Sequence, residues 1–144
     1  MPVTTGFNHI ATLTADLDRL VDFYTKVFDA KVTFEMEKTP DHPRMTILDM
    51  GGGSALNVFE AGADEIVGDR SKMGGRGPID HFGIAVDSME TLENVRDRLV
   101  EAGSFIGEIQ QLGDHWSLFF RDIDGMELEV LCPGATEDAA APPA

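Results

Sequence analysis

The segment FNHIATLTADLDRLVDFYTKVFDAKV, residues 7–32, decides the fold because its structural signals return in the second half of the chain, beginning with IDHFGIAV at residues 79–86. Shifting the chain against itself without a gap, so that His9 falls on His81, superimposes identical residues in several elements: Leu20 on Leu92, Ala30 on Ala102, Gly53 on Gly125, Leu56 on Leu128 and Val58 on Val130. This level of identity is weak evidence by itself. Turn and helix-cap signals return in the same register, however, so the sequence predicts one structural unit repeated twice.

The first half of the chain predicts the order β-α-β-β-β. Asp16 is a helix N-cap that precedes a single apolar face, and the three glycines at residues 51–53 provide a hairpin turn. The predicted elements are a strand at Gly6–Leu13, a helix from Asp16 to about Phe28 that buries Leu17, Leu20, Tyr24, Val27 and Phe28, and strands at Ala30–Glu37, Arg44–Met50 and Ser54–Glu60.

The second half predicts the same order. Asp87 and Glu90 form a capping box before the second helix, and Gly103 stops that helix. The predicted elements are a strand at Ile79–Val86, a helix to about Ala102 that buries Met89, Leu92, Val95, Leu99 and Val100, and strands at Phe105–Gln111, Asp114–Arg121 and Met126–Cys132.

Two such units predict an α+β protein in which helices cover one side of mostly antiparallel sheets. We expect a single domain made of tandem βαβββ modules at about residues 6–60 and 79–133. Residues 61–78 contain five glycines and predict a connecting loop that could order over a ligand. Residues 134–144 are rich in Ala, Pro and acidic residues and predict a flexible tail.

The composition excludes several classes of partner. With 26 acidic and 11 basic side chains the net charge is −15, so no basic stripe is available for a nucleic-acid backbone. The chain has no run of about 18 apolar residues, so no membrane span is predicted, and residues 1–5 lack the features of a secretory signal. The single cysteine, Cys132, excludes an internal disulfide and suits a reducing compartment. We therefore expect a cytoplasmic protein that binds a small molecule.

The alternation of side chains between the two faces of each predicted strand indicates where a functional site lies. His9 and His81 fall on the strand faces opposite the bulky residues, beside Ala11 and Gly83, which leave space. In the last strand of each half, Asn57 and Glu129 also face away from the helices, and the repeat superimposes these two positions as well. If the paired sheets curve into a cup, the four side chains converge.

Two imidazoles and one carboxylate are the ligand set that suits Fe(II), Mn(II) or related ions and leaves positions open for substrate and oxygen. The sequence therefore predicts a metal site made by His9, His81 and Glu129. Asparagine is a poor ligand, so Asn57 is expected to hydrogen-bond water or substrate. The alternative is that these residues are polar groups on a solvated sheet face.

On these residues the chain resembles the vicinal oxygen chelate superfamily, which includes glyoxalase I, fosfomycin-resistance proteins, bleomycin-resistance proteins and extradiol dioxygenases. The resemblance extends from about Gly6 to Pro133 and rests on residues 7–32, on IDHFGIAV, and on FFRDIDGMELEVL at residues 119–131. It implies paired βαβββ modules in a cup-shaped sheet, usually as a homodimer. It also implies that His9, His81 and Glu129 hold a divalent metal; the donor set favours Fe(II) or Mn(II), with Zn(II) or Ni(II) as alternatives.

The family contains several chemistries. Glyoxalase-type isomerases usually have Glu or Gln where this chain has Asn57, which disfavours an isomerase or lyase. Fosfomycin-resistance transferases need cations around a phosphonate, and the segment GEIQQLGDHWS at residues 107–117 contains no Lys or Arg. The sequence does not decide which face of its strand Arg121 lies on. The ending D-x-D-G-x-x-x-E from Asp122 to Glu129 resembles extradiol dioxygenases, although Phe119 replaces their usual Tyr and an upstream His is missing.

Within the family that the chain resembles, Asn57 and the ending from Asp122 to Glu129 favour an oxygenase. Its substrate is expected to be small and to carry oxygen atoms, as a catechol does. A metal-free ligand-binding protein of the bleomycin-resistance type is the alternative outside enzymes. His115 is a candidate acid–base group, with a surface histidine as the equal alternative. Glu127 is a candidate base or a simple edge carboxylate. Three aromatic residues are candidates for a substrate pocket or for core packing: Phe59, Trp116 and Phe119.

Overall fold

The computed structural model describes residues 1–134, so the tail predicted at residues 134–144 lies outside the described residues except for Gly134. The chain divides into two compact units, Met1–Val67 and Gly68–Ala144. None of the helices in residues 1–134 is long and apolar enough to cross a membrane.

The first unit has one helix and a four-stranded sheet. Strands β1 and β4 are parallel, while β4–β3 and β3–β2 are antiparallel, which gives the spatial order β1-β4-β3-β2. The elements are β1 at His9–Thr14, α1 at Leu17–Phe28, β2 at Lys31–Met36, β3 at Met45–Gly51 and β4 at Ser54–Glu60.

The second unit repeats this topology, with the order β5-β8-β7-β6 and a parallel β5–β8 pair. Its elements are β5 at Phe82–Ala85, α2 at Met89–Glu101, β6 at Gln110–Leu112, β7 at His115–Arg121 and β8 at Glu127–Pro133. Each unit is βαβββ, so the predicted fold class is confirmed.

Helix α1 begins where the sequence predicts. Asp16 has extended backbone geometry, and its side chain accepts a hydrogen bond from the Arg19 amide at 3.1 Å. The predicted apolar face is buried, with Phe23 as an unpredicted addition. Phe28 is only half-buried because it is the last residue of the helix.

Replacing Asp16 by Ala is expected to lower the free energy of unfolding by about 1 kcal/mol, since an N-cap carboxylate satisfies an otherwise unpaired helix amide. Urea unfolding followed by circular dichroism measures this change. Asp16→Asn is the matched variant, because its amide oxygen still accepts the hydrogen bond, and it is expected to retain most of the stability. An Ala variant as stable as the parent would contradict the capping role.

The N-cap of helix α2 lies one residue after the predicted position. The N-cap is Ser88, whose hydroxyl accepts from the Thr91 amide at 3.1 Å, while Asp87 lies one position outside the helix. The short hydroxyl of an extended Ser reaches the third helical amide directly. Val100 was predicted to be buried and is 59% exposed, because it lies one position, or about 100°, past Leu99 on the helix. Gly103 ends the helix as predicted, with φ of 75°.

Five predicted strands are shorter in the structure, although β2 and β7 lose only single residues at their ends. The first begins at His9 rather than Gly6, and the fifth spans only Phe82–Ala85. The predicted strand Phe105–Gln111 becomes one isolated bridge at Ile106 and a short β6, because the register against β7 changes by one residue between them.

The helix-covered faces of the sheets form the core of each unit. The apolar residues of β4 and β8 predicted to face the helices are all fully buried: Leu56, Val58, Leu128 and Val130. Strand β7 adds Leu118 and Phe120, which lie opposite Val130 and Leu128 in the register. The alternate residues of the same strands therefore point to the open face, where the candidate site lies.

Candidate metal centre

Two of the three predicted ligands meet on the open face of the second unit. His81 Nε2 lies 3.4 Å from Glu129 Oε2, and both side chains are partly buried. His81 directly precedes β5, and Glu129 is opposite Gly83 of that strand. A Cβ at Gly83 would stand 3.0 Å from a methyl carbon of Leu131, so the small residue keeps this part of the face open.

Each of these two side chains is fixed at its other polar atom. Glu129 Oε1 accepts a hydrogen bond from the Ser117 hydroxyl at 2.5 Å, and His81 Nδ1 lies 2.8 Å from Asp80 Oδ2. A carboxylate can only accept, so Nδ1 donates to Asp80, and in the neutral imidazole Nε2 is then the nitrogen with the lone pair that a metal binds. The two remaining donor atoms, Nε2 and Oε2, therefore face each other.

Charged groups surround Asp80. The hydrogen bond from His81, followed by the effects of Arg76, holds the pKa of the Asp80 carboxyl below its ordinary value, against an opposing effect of desolvation. Arg76 Nη1 donates to Asp80 Oδ1 at 2.6 Å. Asp80 is thus held as a carboxylate that can accept from the imidazole.

Phe119 borders the same site. It is directly opposite Glu129 in the β7–β8 register, and its ring centroid lies 5.2 Å from that of His81 at an interplanar angle of 73°. This edge-to-face contact restricts the orientation of the imidazole. Phe119 is half-buried, so part of its ring remains available to a ligand.

The third predicted ligand, His9, begins β1 in the first unit and is exposed. Its Nδ1 lies 2.8 Å from the side-chain oxygen of Asn8, the residue before it. His81 has the same relation to Asp80, and the repeat superimposes Asn8 on Asp80. Within residues 1–134 no three His, Cys, Asp or Glu side chains form a group that could hold a metal.

The open face of the first unit carries the other predicted contacts. Asn57 lies opposite Ala11 and Ile47, and its side-chain oxygen is buried without a hydrogen-bond partner within residues 1–134. Such an atom favours a bound donor, since buried polar groups are normally paired.

Phe59, two residues further along β4, lines a cavity of about 720 Å³ in the first unit. Leu13 and the loop at residues 38–44 complete much of its wall, and the ring centroid of His42 lies 6.0 Å from that of Phe59. The cavity is large enough for a small-molecule ligand.

Three other candidates differ from the facing donor atoms in their surroundings. Trp116 is opposite Cys132 on the helix-covered face and only 5% exposed, so it is a core residue. Glu127 Oε2 accepts from both Arg76 and Arg121 at 3.3 Å, so this carboxylate is paired with two guanidinium groups, which disfavours a role as a base. His115 is exposed, and it begins β7 about 13 Å along the strand from Phe119, which is the residue opposite Glu129.

The residues that orient the donors were not among the sequence predictions. Ser117 shares a strand face with Phe119, and that alternation was a usable signal. Asn8 and Asp80 each precede a candidate histidine at matching repeat positions, which was a second signal. Arg76 lies in a glycine-rich loop without periodicity, and no sequence pattern indicates its contacts.

The sequence model of the Glyoxalase/Bleomycin resistance protein/Dioxygenase superfamily matches residues 6–130. The chain belongs to this superfamily. The predicted family resemblance is therefore confirmed, with almost the same limits along the chain.

Solved structures of the superfamily support the same fold. A glyoxylase/bleomycin resistance protein/dioxygenase domain from Frankia sp. EAN1pec is 27% identical with a TM-score of 0.74, and the match covers 90% of this chain and 98% of that one. The fosfomycin resistance protein FosX from Listeria monocytogenes is 17% identical with a TM-score of 0.68, covering 94% and 98%. A FosX variant from the same organism was crystallised with Mn(II) and a dihydroxypropylphosphonic acid; it is 16% identical with a TM-score of 0.69, covering 94% and 97%.

A curated relative, a probable trivalent organoarsenical cleaving enzyme from Bacillus subtilis, is 29% identical over 100 residues. The match covers 69% of this chain but 58% of that protein, so this chain spans a little over half of the relative's length.

Proposed function

We propose that this chain is a divalent-metal-dependent oxygenase of the superfamily, acting on a small substrate with adjacent oxygen atoms such as a catechol. The observation that carries the proposal is the pair His81 Nε2 and Glu129 Oε2, 3.4 Å apart, each fixed at its other polar atom. Two such atoms fit one ion, because imidazole nitrogen and carboxylate oxygen both bind at about 2.0–2.2 Å.

We assign His9 as the third ligand, supplied by this chain or by a second copy of it. Like His81, it has Nδ1 engaged by the preceding side chain, which leaves Nε2 as the free nitrogen. A two-histidine, one-carboxylate set favours Fe(II) or Mn(II), and such an ion supplies Lewis acidity and open positions for substrate and oxygen. The half-buried ring of Phe119 would contact the substrate, and Asn57 would accept a hydrogen bond from it.

Features of individual side chains disfavour the other chemistries of the superfamily. A fosfomycin-type reaction needs free cations for a phosphonate, but Arg76 and Arg121 both donate to Glu127. Asn57 in place of an acidic ligand disfavours an isomerase. A metal-free binding protein would have no use for two oriented donor atoms.

The organoarsenical activity named for the Bacillus subtilis relative is also disfavoured here. Trivalent arsenic is a soft centre that prefers thiolates. Cys132 is the only cysteine in this chain, and it is buried on the helix-covered side of β8. Burial raises the pKa of its thiol, which further reduces the thiolate available to bind arsenic.

Metal removal tests the proposal. Protein is loaded with Fe(II) under nitrogen and then placed in aerated buffer, where it is expected to consume oxygen when a panel of catechols is added. Chelator-treated protein is expected to lose this uptake and to regain it when Fe(II) is restored. An oxygen electrode measures the rate, and Fe(II) with catechol but without protein is the control. Metal-loaded protein that isomerises a hemithioacetal and consumes no oxygen with the panel would contradict the oxygenase assignment.

A further inference from the structure

We infer that Asp80, held by Arg76 of the preceding loop, is a positioning residue that orients His81 for metal binding; the inference rests on the proposed metal site. The observation is a continuous chain of contacts from the loop to the imidazole. Arg76 donates to Asp80, and Asp80 accepts from His81 on the side of the ring away from Glu129.

Both oxygens of Asp80 are used. Oδ1 accepts from Arg76 Nη1 at 2.6 Å, and Oδ2 lies 2.8 Å from His81 Nδ1. A carboxylate fixed at one oxygen cannot rotate freely at the other, so the position of its imidazole partner is defined. This contact selects the tautomer with hydrogen on Nδ1, which is the tautomer that leaves Nε2 to bind a metal.

Arg76 is itself firmly held. Its side chain is only 6% exposed, and its guanidinium group donates to three acceptors: Asp80, Glu127 and the backbone oxygen of Arg70, at 2.6, 3.3 and 2.9 Å. Three acceptors in fixed directions match the planar donors of a guanidinium group, and the ammonium group of a lysine could not reproduce these contacts. The loop at residues 68–78 therefore contributes directly to the geometry of the candidate ligand.

The two halves of the repeat differ in the residue that precedes each candidate histidine. His9 has the neutral, exposed Asn8 where His81 has the charged Asp80. A carboxylate partner makes an imidazole a stronger ligand than an amide partner does, and loss of such a partner typically lowers metal affinity by about 10–100-fold. We therefore assign His81 as the better-oriented and more strongly binding of the two histidines.

The test compares Asp80→Ala and Asp80→Asn with the parent chain. We expect Asp80→Ala to weaken Mn(II) binding by about 10–100-fold, measured by competition with a chelator. Asp80→Asn keeps an acceptor for Nδ1 and is expected to lie between the parent and Asp80→Ala. Asp97→Ala, which removes an exposed carboxylate from α2, is the matched control and is expected to bind as the parent does.

Nitrogen NMR of the metal-free protein gives a second readout at a pH where the imidazole is neutral. The parent is expected to hold His81 in the tautomer with hydrogen on Nδ1, and Asp80→Ala is expected to show a mixture. If the parent binds no divalent ion, the proposed function fails. If the parent binds Mn(II) and a folded Asp80→Ala binds it within twofold, or if His81 of the parent is a mixture of tautomers, the positioning role alone is overturned.

Discussion

Replacing Glu129 by Gln is expected to weaken the binding of Fe(II) or Mn(II) by more than about 100-fold and to abolish metal-dependent activity. Glu129 supplies the only negative charge in the proposed ligand set. Gln has nearly the same shape and retains an oxygen that can accept from Ser117, so the fold is expected to persist. Isothermal titration of the metal-free variant measures the affinity.

Glu93→Gln is the matched control, because it makes the same change at an exposed position on helix α2. It is expected to bind the metal as the parent does. A folded Glu129→Gln protein that binds the metal as tightly as Glu93→Gln would remove Glu129 from the ligand set.

The adjacent residues Phe119 and Phe120 are expected to respond oppositely to truncation. Phe120 is 1% exposed on the helix-covered face, opposite Leu128, and Phe120→Ala is expected to lower the free energy of unfolding by about 3–5 kcal/mol. Phe119 lies on the open face against His81, and Phe119→Ala is expected to cost about 1 kcal/mol or less, with its main effect on substrate binding.

Urea unfolding of the two variants provides the comparison, with Phe120→Leu as a milder change if Phe120→Ala is too unstable to purify. Equal losses of stability for Phe119→Ala and Phe120→Ala would mean that the two faces of β7 are not distinguished as described. A large loss confined to Phe120→Ala supports both the strand register and the position of Phe119 beside the site.

The repeat explains why much of the fold and part of the site could be predicted. A constant offset between the two halves and strand alternation are simple patterns, and together they placed His81 and Glu129 on one face of the second sheet. The same alternation could have excluded Trp116. Residues on one face of a strand are separated by even intervals, whereas Trp116 and Phe119 are three apart.

Contacts from irregular segments could not be predicted in this way. Arg76 belongs to a loop whose path depends on its glycines and on its contacts with β8, and neither leaves a periodic signal. Glu127 looked available as a base because its partners, Arg76 and Arg121, lie 51 and 6 residues away in the chain. The cap of α2 was misplaced for a simpler reason: Asp87 and Ser88 are both good capping residues, and the backbone conformation decides between them.

X-ray absorption spectroscopy of the parent protein loaded with Fe(II) reports the atoms bound to the ion, and so tests whether His9, His81 and Glu129 are its ligands. We expect saturable binding and scattering from two imidazole rings together with oxygen ligands, as His9, His81 and Glu129 would give. Binding without imidazole scattering, or the failure of the metal-free protein to take up any divalent ion, would contradict this assignment.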